Sequence, residues 1–153
     1  MDRLDEKWMR IALQEAECAA KEGEIPVGAV VVRNGELIAK AHNLCERDAN
    51  ATAHAETLAI AEACRKIGSW RLSDCTLYVT LEPCMMCAGA AVNARIGRIV
   101  YAAKDARAGA CESLLKLSFY PLECKPNCHG GVLQEESLAL LQKFFLKLRK
   151  KEQ

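Results

Sequence analysis

The sequence has no apolar run that approaches the roughly 20 residues needed to cross a bilayer, so we expect no transmembrane helix and no membrane partner. Residues 1–10 are rich in charged side chains, whereas a secretory signal requires an uninterrupted apolar stretch. We therefore expect a cytoplasmic protein.

Internal repeats, low-complexity stretches and linkers are also missing, which argues against a solenoid or a chain of several domains. The 153 residues suffice for one hydrophobic core, and we predict a single domain over residues 1–153. The sequence lacks a charge excess of either sign, because its net charge is only +1. Overall charge therefore neither favours nor excludes a nucleic-acid partner.

Cysteine, in contrast, is abundant, with nine residues. A secreted mini-protein would use them as a disulfide framework, but an odd number fits complete internal pairing poorly. In a cytosolic chain of this length, metal ligands and free thiols are the better interpretation.

The pattern of apolar residues predicts an α/β fold. We expect a sheet that is partly parallel and covered by helices on both faces. Asn34-Gly35 is typical of a two-residue hairpin turn, and 119–131 has no regular pattern. The predicted helices are 4–21, 54–67, 84–95, 113–117 and 135–151, and the predicted strands are 27–32, 36–41, 76–81 and 98–102.

Cys84 and Cys87 form a Cys-x-x-Cys motif directly after Pro83, which favours a helix start. Residues three apart on a helix share a face, and the helix N-terminus favours thiolates over thiols. Two such thiolates suit zinc. A redox pair is the rival interpretation of this motif alone, but it does not explain His54.

His54 and Glu56 stand at the predicted start of another helix. At a helix tip, His54 can bind a metal while Glu56 leans over an open coordination position. Three protein ligands, His54, Cys84 and Cys87, leave the fourth place for water, which is the catalytic arrangement. Two thiolates cancel the charge of Zn²⁺, so a carboxylate must take the proton, and Glu56 is placed to do so.

The segments 52–56 and 80–90 resemble the bacterial tRNA-specific adenosine deaminases of the cytidine deaminase superfamily. Further similarity lies in 25–29, 41–43 and 103–105, so that it covers nearly the whole chain. The resemblance implies a three-layer cytidine-deaminase-like fold with a central mixed five-stranded sheet flanked by helices. Only four strands are clear in the sequence, so the fifth is expected near Val132 or in the irregular tail.

The resemblance also implies how the residues act. One Zn²⁺ per subunit would be held by His54, Cys84 and Cys87, and Glu56 would be the catalytic proton shuttle. The implied reaction is hydrolytic deamination of adenosine to inosine at the wobble position of a tRNA anticodon loop, by a homodimer. The residues implied to contact the substrate are Asn43 and the backbone of Ala55 at the base, Pro26 in the pocket wall, and Asp105 near the sugar.

The stretch 143–151 is basic and contains no acidic residue. Such a helix end is commonly just solvated, but beside a deaminase core Arg149 and Lys150 become candidates for phosphate contacts with the anticodon stem-loop. A free nucleobase or nucleotide deaminase of the guanine or cytosine type is the alternative function. A non-catalytic zinc scaffold is a third, against which Glu56 speaks, because a structural site needs no proton shuttle.

A second cluster, Cys124, Cys128 and His129, could also bind a metal. Its fourth ligand is not evident, and structural zinc almost always takes four protein ligands. We therefore do not expect a second zinc site.

Overall fold

The computed structural model describes residues 2–152, and within them the chain forms four α-helices around one five-stranded sheet. None of these helices combines the length and the apolar character that crossing a membrane requires. The elements are α1 (Arg3–Lys21), β1 (Gly28–Arg33), β2 (Glu36–His42), α2 (Ala55–Ile67), β3 (Cys75–Leu81), α3 (Met85–Asn93), β4 (Arg98–Ala103), β5 (Asn127–Gly130) and α4 (Gln134–Lys151).

The strands lie in the order β2-β1-β3-β4-β5, and the sheet is mixed. β1 pairs antiparallel with β2 and with β3, whereas β4 runs parallel to β3 and to β5. Asn34 and Gly35 have positive φ angles of 51° and 75° and close the β1–β2 hairpin, as the sequence predicts. The predicted mixed five-stranded sheet between helices is thus confirmed.

The central strands bury alternate side chains on opposite faces of the sheet, which explains their nearly continuous apolar sequences. On one face, residues such as Val31 and Leu77 join α2 and α3 in the larger core. On the other face, residues such as Val30 and Val100 join α1, against which α4 also packs. The sheet is therefore the middle of three layers.

The fifth strand is found in the region where it is expected, whereas the irregular segment 119–131 and the short helix 113–117 need correction. The fifth strand, Asn127–Gly130, lies inside the segment that the sequence presents as irregular and just before Val132. Its four residues are too few to show a period of two. The short helix predicted for 113–117 is wrong: residues 113–116 form a turn, bends and extended chain, and a 3₁₀ turn begins at Leu117 and ends at Phe119. Hydrogen bonds to a neighbouring carboxylate, described below, hold the start of this segment in turns.

Asp5 anchors α1 to the sheet from the face opposite α2. Its carboxylate is buried and accepts two hydrogen bonds of 2.7 Å from Arg98 and one of 2.8 Å from the Tyr78 hydroxyl. The hydrogen bond with Arg98 holds the pKa of Asp5 below its ordinary value, although burial opposes it. The bidentate ion pair with Arg98 connects the first helix to β4, and the hydrogen bond from Tyr78 connects it to β3.

The variant Asp5→Asn should therefore be less stable by about 1–3 kcal/mol at neutral pH, because a buried charge-assisted pair is lost. The native pKa of Asp5 is lowered from 3.8, so its contribution is complete above that pH and is lost as the pH falls through the lower native value. Urea unfolding of both proteins checks this: their difference should shrink between pH 5 and about pH 2. A difference that stays constant with pH would contradict the assignment.

Candidate metal centre and active site

The starts of α2 and α3 lie side by side at the end of the sheet where β3 finishes. His54 is the N-cap of α2 and Cys84 is the N-cap of α3, and both have extended backbone conformations. Neither side chain caps its own helix by a hydrogen bond, although N-cap residues usually do so. Both side chains are directed instead towards a shared point.

Three ligand atoms meet at this point. The Nδ1 atom of His54 lies 3.7 Å from the Sγ atom of Cys84 and 3.4 Å from that of Cys87. All three atoms lie within 4.8 Å of one another, and they are the only such group of three among residues 2–152. The three residues predicted as metal ligands are thus brought together.

The geometry of this group fits a tetrahedral metal ion. Metal–ligand bonds of about 2.0–2.3 Å at tetrahedral angles place neighbouring ligand atoms about 3.3–3.8 Å apart. The two nitrogen–sulfur distances fall within this range. One imidazole with two thiolates is a donor set that suits zinc.

The electrostatics of the group also favour a cation. Contacts with Cys87 and with His54 lower the pKa of the Cys84 thiol to about 3. The same contact raises the pKa of Cys87, and the neighbouring Cys84 raises that of His54. The three side chains therefore share protons, and a cation can replace them.

Glu56, in the first turn of α2, lies beside the ligands without being one of them. The residue is 4% exposed, and burial raises its carboxyl pKa to about 7. No basic side chain between residues 2 and 152 forms an ion pair with it. A carboxyl group in this state can both accept and release a proton near neutral pH.

The ligand group opens into a cleft of about 390 Å³. His54, Glu56 and Cys84 form its floor, and Cys87 is buried behind them. A larger hollow of about 550 Å³ runs along β5 but contains neither Glu56 nor the ligands. The walls of the cleft come from five parts of the chain: residues of the segment 23–27 other than Pro26, residues of the segment 43–46, the end of β3 at Leu81 and Glu82, the loop that contains Asp105 and Ala108, and the α4 side chains Phe144, Phe145 and Leu148.

Asn43 connects the cleft to the start of α2. Its Oδ1 atom accepts a hydrogen bond of 2.8 Å from the backbone N–H of Ala55, and its Nδ2 atom donates one of 3.2 Å to the Ile25 carbonyl. The amide thereby serves as the helix cap that His54 does not provide. Within the part of the chain that the structure describes, one N–H of its amide group and one lone pair have no protein partner and can bind a ligand in the cleft.

Of the other residues implied to contact substrate, only some line the cleft. Asp105 lines the cleft, and its carboxylate accepts hydrogen bonds from the backbone N–H groups of Arg107 and Ala108. Pro26 is buried and is not among the residues that line the cleft. Arg149 and Lys150 are exposed and follow Leu148, which does line it.

Two buried carboxylates in the cleft walls escape sequence reasoning. The carboxylate of Glu24 accepts hydrogen bonds from the backbone N–H groups of Glu46 and Arg47, at 3.0 and 2.9 Å. Glu82 accepts five hydrogen bonds from the loop between residues 105 and 113. The sequence offers only a weak sign of them: Glu24 stands just before Ile25-Pro26, and Glu82 just before Pro83.

The second cysteine cluster does not assemble as a group. The Cys128 thiol packs against the larger core and contacts Cys111, which lowers the pKa of Cys128. Cys124 and His129 belong to no convergent set of three ligand atoms among residues 2–152. The geometry therefore concentrates the metal-binding side chains at one place.

This fold and site define a metal-dependent deaminase, and comparisons with known proteins give the family. Residues 3–149 match the family of MafB19-like deaminases. The tRNA-specific adenosine deaminase of Bacillus subtilis strain 168 is 48% identical over 148 residues, which cover 96% of this chain and 92% of that protein. This chain therefore belongs to the MafB19-like deaminases, and within them to the group of tRNA-specific adenosine deaminases.

Solved structures agree with this assignment. A structure from a study of A-to-I editing by tRNA:A34 deaminases at the wobble position of transfer RNA superimposes with a TM-score of 0.86. It is 41% identical, and the match covers 88% of this chain and 99% of that one. The guanine deaminase from Bacillus subtilis is similarly identical, at 40%, but its TM-score is 0.63 and the match covers 68% of this chain.

Removal of a ligand should be separable from removal of the carboxyl group. We expect Cys87→Ser to lose bound zinc, because a hydroxyl group is a poor replacement for a thiolate. Glu56→Ala should retain zinc, since its carboxylate is not a ligand. Metal analysis of both dialysed variants beside the unchanged protein checks this, and loss of zinc from Glu56→Ala would show that Glu56 coordinates the metal.

Proposed function

We propose that this chain is a cytoplasmic hydrolase that deaminates adenosine to inosine at the wobble position of a tRNA anticodon loop. It acts with one Zn²⁺ per subunit, and residues 1–153 form its single deaminase domain. The observation that carries this proposal is the placement of Glu56 beside the three ligand atoms at the floor of an open cleft. The similarity to tRNA-specific adenosine deaminases supports the choice of substrate.

The mechanism follows from the side chains at the floor. Zinc bound by His54, Cys84 and Cys87 would supply the Lewis acidity that makes water nucleophilic near neutral pH. Glu56 accepts the proton that water loses as its oxygen attacks C6 of adenine. Glu56 delivers this proton to N1, which has taken the electron pair of the C6–N1 double bond. Glu56 then moves the proton of the new C6 hydroxyl group to the 6-amino nitrogen, which departs as ammonia while the C6 carbonyl forms and leaves inosine.

The walls of the cleft supply binding and orientation. The free N–H and lone pair of Asn43 are available to the edge of the flipped base, and the backbone at Ala55 lies next to them. Asp105 lies on the wall where the sugar of the target nucleotide would pass. Pro26 contributes indirectly, because it fixes the chain between two residues that line the cleft, Ile25 and Val27.

The residues at the end of α4 support the proposal that the substrate is RNA. Phe144, Phe145 and Leu148 form one wall of the cleft, so the basic residues that follow lie beside its mouth. Arg149 and Lys150 are exposed there. Aromatic side chains stack on unpaired bases and basic ones neutralise phosphates, which are the contacts that a single-stranded loop offers.

A free nucleobase deaminase is the second candidate, because the guanine deaminase from Bacillus subtilis shares the fold at 40% identity. The same ligand group and shuttle serve both reactions. The basic end of α4 separates the candidates, since a free-base enzyme has no phosphate to bind.

The zinc-loaded protein should convert adenosine to inosine in an anticodon stem-loop that has adenosine at the first anticodon position, and should leave free guanine and cytidine unchanged. Glu56→Ala should reduce the rate at least about 100-fold, because general acid–base catalysis is lost. Chromatography of the digested RNA quantifies inosine. Deamination of guanine or cytidine with no inosine in the stem-loop would favour the second candidate.

A matched pair of variants tests the RNA contacts in the same assay. The double variant of Arg149→Gln and Lys150→Gln should raise KM and reduce the dependence of affinity on salt, by about 0.7 in logarithmic slope for each lost phosphate contact. The double variant of Arg65→Gln and Lys66→Gln removes a basic pair from the end of α2, away from the cleft, and should change neither quantity.

We also propose that the enzyme is a homodimer whose subunits meet on the outer face of α3. Met85 is 67% exposed and lines an apolar hollow of about 400 Å³ with Val92, Leu115 and Tyr120. A contiguous apolar face of this kind marks an interaction surface. A second copy is the occupant that the resemblance to homodimeric relatives supports.

Sedimentation at micromolar concentration should show a dimer. Met85→Glu should shift it to a monomer, because it places a charge in the apolar contact. Leu4→Glu is the matched control: Leu4 is 59% exposed on α1, and its substitution should leave the dimer intact. A monomer before any substitution would exclude the proposed interface.

A further inference from the structure

Glu82 joins the end of β3 to the loop that forms one wall of the cleft. Its side chain is almost completely buried, with the residue 2% exposed. Oε2 accepts hydrogen bonds from the consecutive backbone N–H groups of Cys111, Glu112 and Ser113, at 3.1, 2.8 and 3.0 Å. Oε1 accepts one of 3.1 Å from the backbone N–H of Asp105 and one from the Ser113 hydroxyl.

These bonds replace a counter-cation. No Lys, Arg or His side chain within residues 2–152 forms an ion pair with Glu82. Hydrogen bonds from backbone N–H groups to a carboxylate are short and charge-assisted, and three consecutive groups form a pocket for an anion. The charge of Glu82 thus organises the loop around itself.

The same loop is tied to the ligand segment. The N–H of Ala110 donates a bond of 2.8 Å to the Pro83 carbonyl, and Gly109 forms a β-bridge with Cys84. The loop therefore contacts both the metal ligand Cys84 and the residue before it, Pro83.

Gly109 shows how closely the loop approaches the carboxylate. A Cβ atom at this position would lie 2.3 Å from the Cδ atom of Glu82 and 2.5 Å from each carboxylate oxygen. These distances are far below van der Waals contact, so any side chain at position 109 must displace the loop or Glu82.

We propose that Glu82 is a positioning residue for the deamination reaction. It acts through the 105–113 loop, which it holds against Cys84, and so fixes the wall that carries Asp105 and Ala108 relative to the metal ligands. Glu82 itself exchanges no proton with the substrate. This inference rests on the proposed function of the cleft.

Two substitutions disturb this anchor from opposite sides. Glu82→Gln keeps the size of the side chain but turns an amide N–H₂ towards N–H donors. Gly109→Ala leaves the carboxylate intact and inserts a methyl group from the loop side. At saturating zinc and below the unfolding temperature, each should lower kcat/KM for the stem-loop about 10- to 100-fold, as loss of an outer-shell partner does.

The two effects should not add, because both variants release the same contact. The double variant should be no slower than the slower single variant. In each variant the backbone N–H groups of residues 111–113 should exchange with deuterium faster than in the unchanged protein. Competition with a chelator should show weaker zinc binding.

Asp5→Asn is the matched control that separates a general loss of stability from loss of the loop anchor. Asp5 is as buried as Glu82, at 2% exposure, but its partners are Arg98 and Tyr78 and it does not line the cleft. This variant should lower the unfolding temperature with no change in kcat/KM or in exchange of residues 111–113.

Unchanged kcat/KM in Glu82→Gln and Gly109→Ala would overturn the proposal. Losses of kcat/KM that disappear once each rate is corrected for the unfolded fraction of the variant would overturn it as well. If Glu82→Gln does not fold, Gly109→Ala decides alone. If the unchanged protein does not deaminate the stem-loop, the proposed function fails. Deuterium exchange and zinc affinity then still decide whether Glu82 holds the loop against the ligand segment.

Discussion

The approach of two helix N-termini at the end of β3 is the constraint on which the site depends. The ligands His54 and Cys84 occupy N-cap positions, where the unpaired N–H groups and the helix dipoles favour negative charge. This placement stabilises thiolate, and it directs the carboxyl group of Glu56 to the same point. A ligand set drawn from the middle of a single helix would lack both the converging dipoles and an open side towards the cleft.

Buried carboxylates hold the loops around this point, and among residues 2–152 no basic side chain forms an ion pair with them. Glu24 binds the chain at Glu46 and Arg47, and Glu82 binds the loop that begins at Asp105. Backbone N–H groups point in directions fixed by the loop conformation, so each carboxylate selects one arrangement of its wall. If a lysine or arginine side chain were the partner of each carboxylate instead of these N–H groups, it would be longer and more flexible. The position of the wall would then be defined less closely.

Local patterns in the sequence predict the sheet, its helices and the metal ligands, because each rests on periodicity or on residues a few positions apart. The spacing of Cys84 and Cys87 and the N-terminal position of His54 are of this kind. The strand at Asn127–Gly130 is too short for such a pattern, since its pairing with β4 defines it. The anchoring role of Glu82 joins positions 29 or more residues apart for three of its partners, and no local rule connects them. Pro26 shows a related limit. The resemblance implies that it lies in the pocket wall, but it is not among the residues that line the cleft.

The close contact between Gly109 and Glu82 has a consequence for redesign of the enzyme. The loop wall offers a natural target for changes in substrate preference, since it carries Asp105 and Ala108 into the cleft. Yet at position 109 its backbone leaves no room for a methyl group beside the carboxylate of Glu82. The loop and the end of β3 therefore form one exchangeable unit: a loop transplanted from another deaminase needs its own residue at position 82, whereas substitutions confined to the cleft-facing side chains leave the anchor untouched.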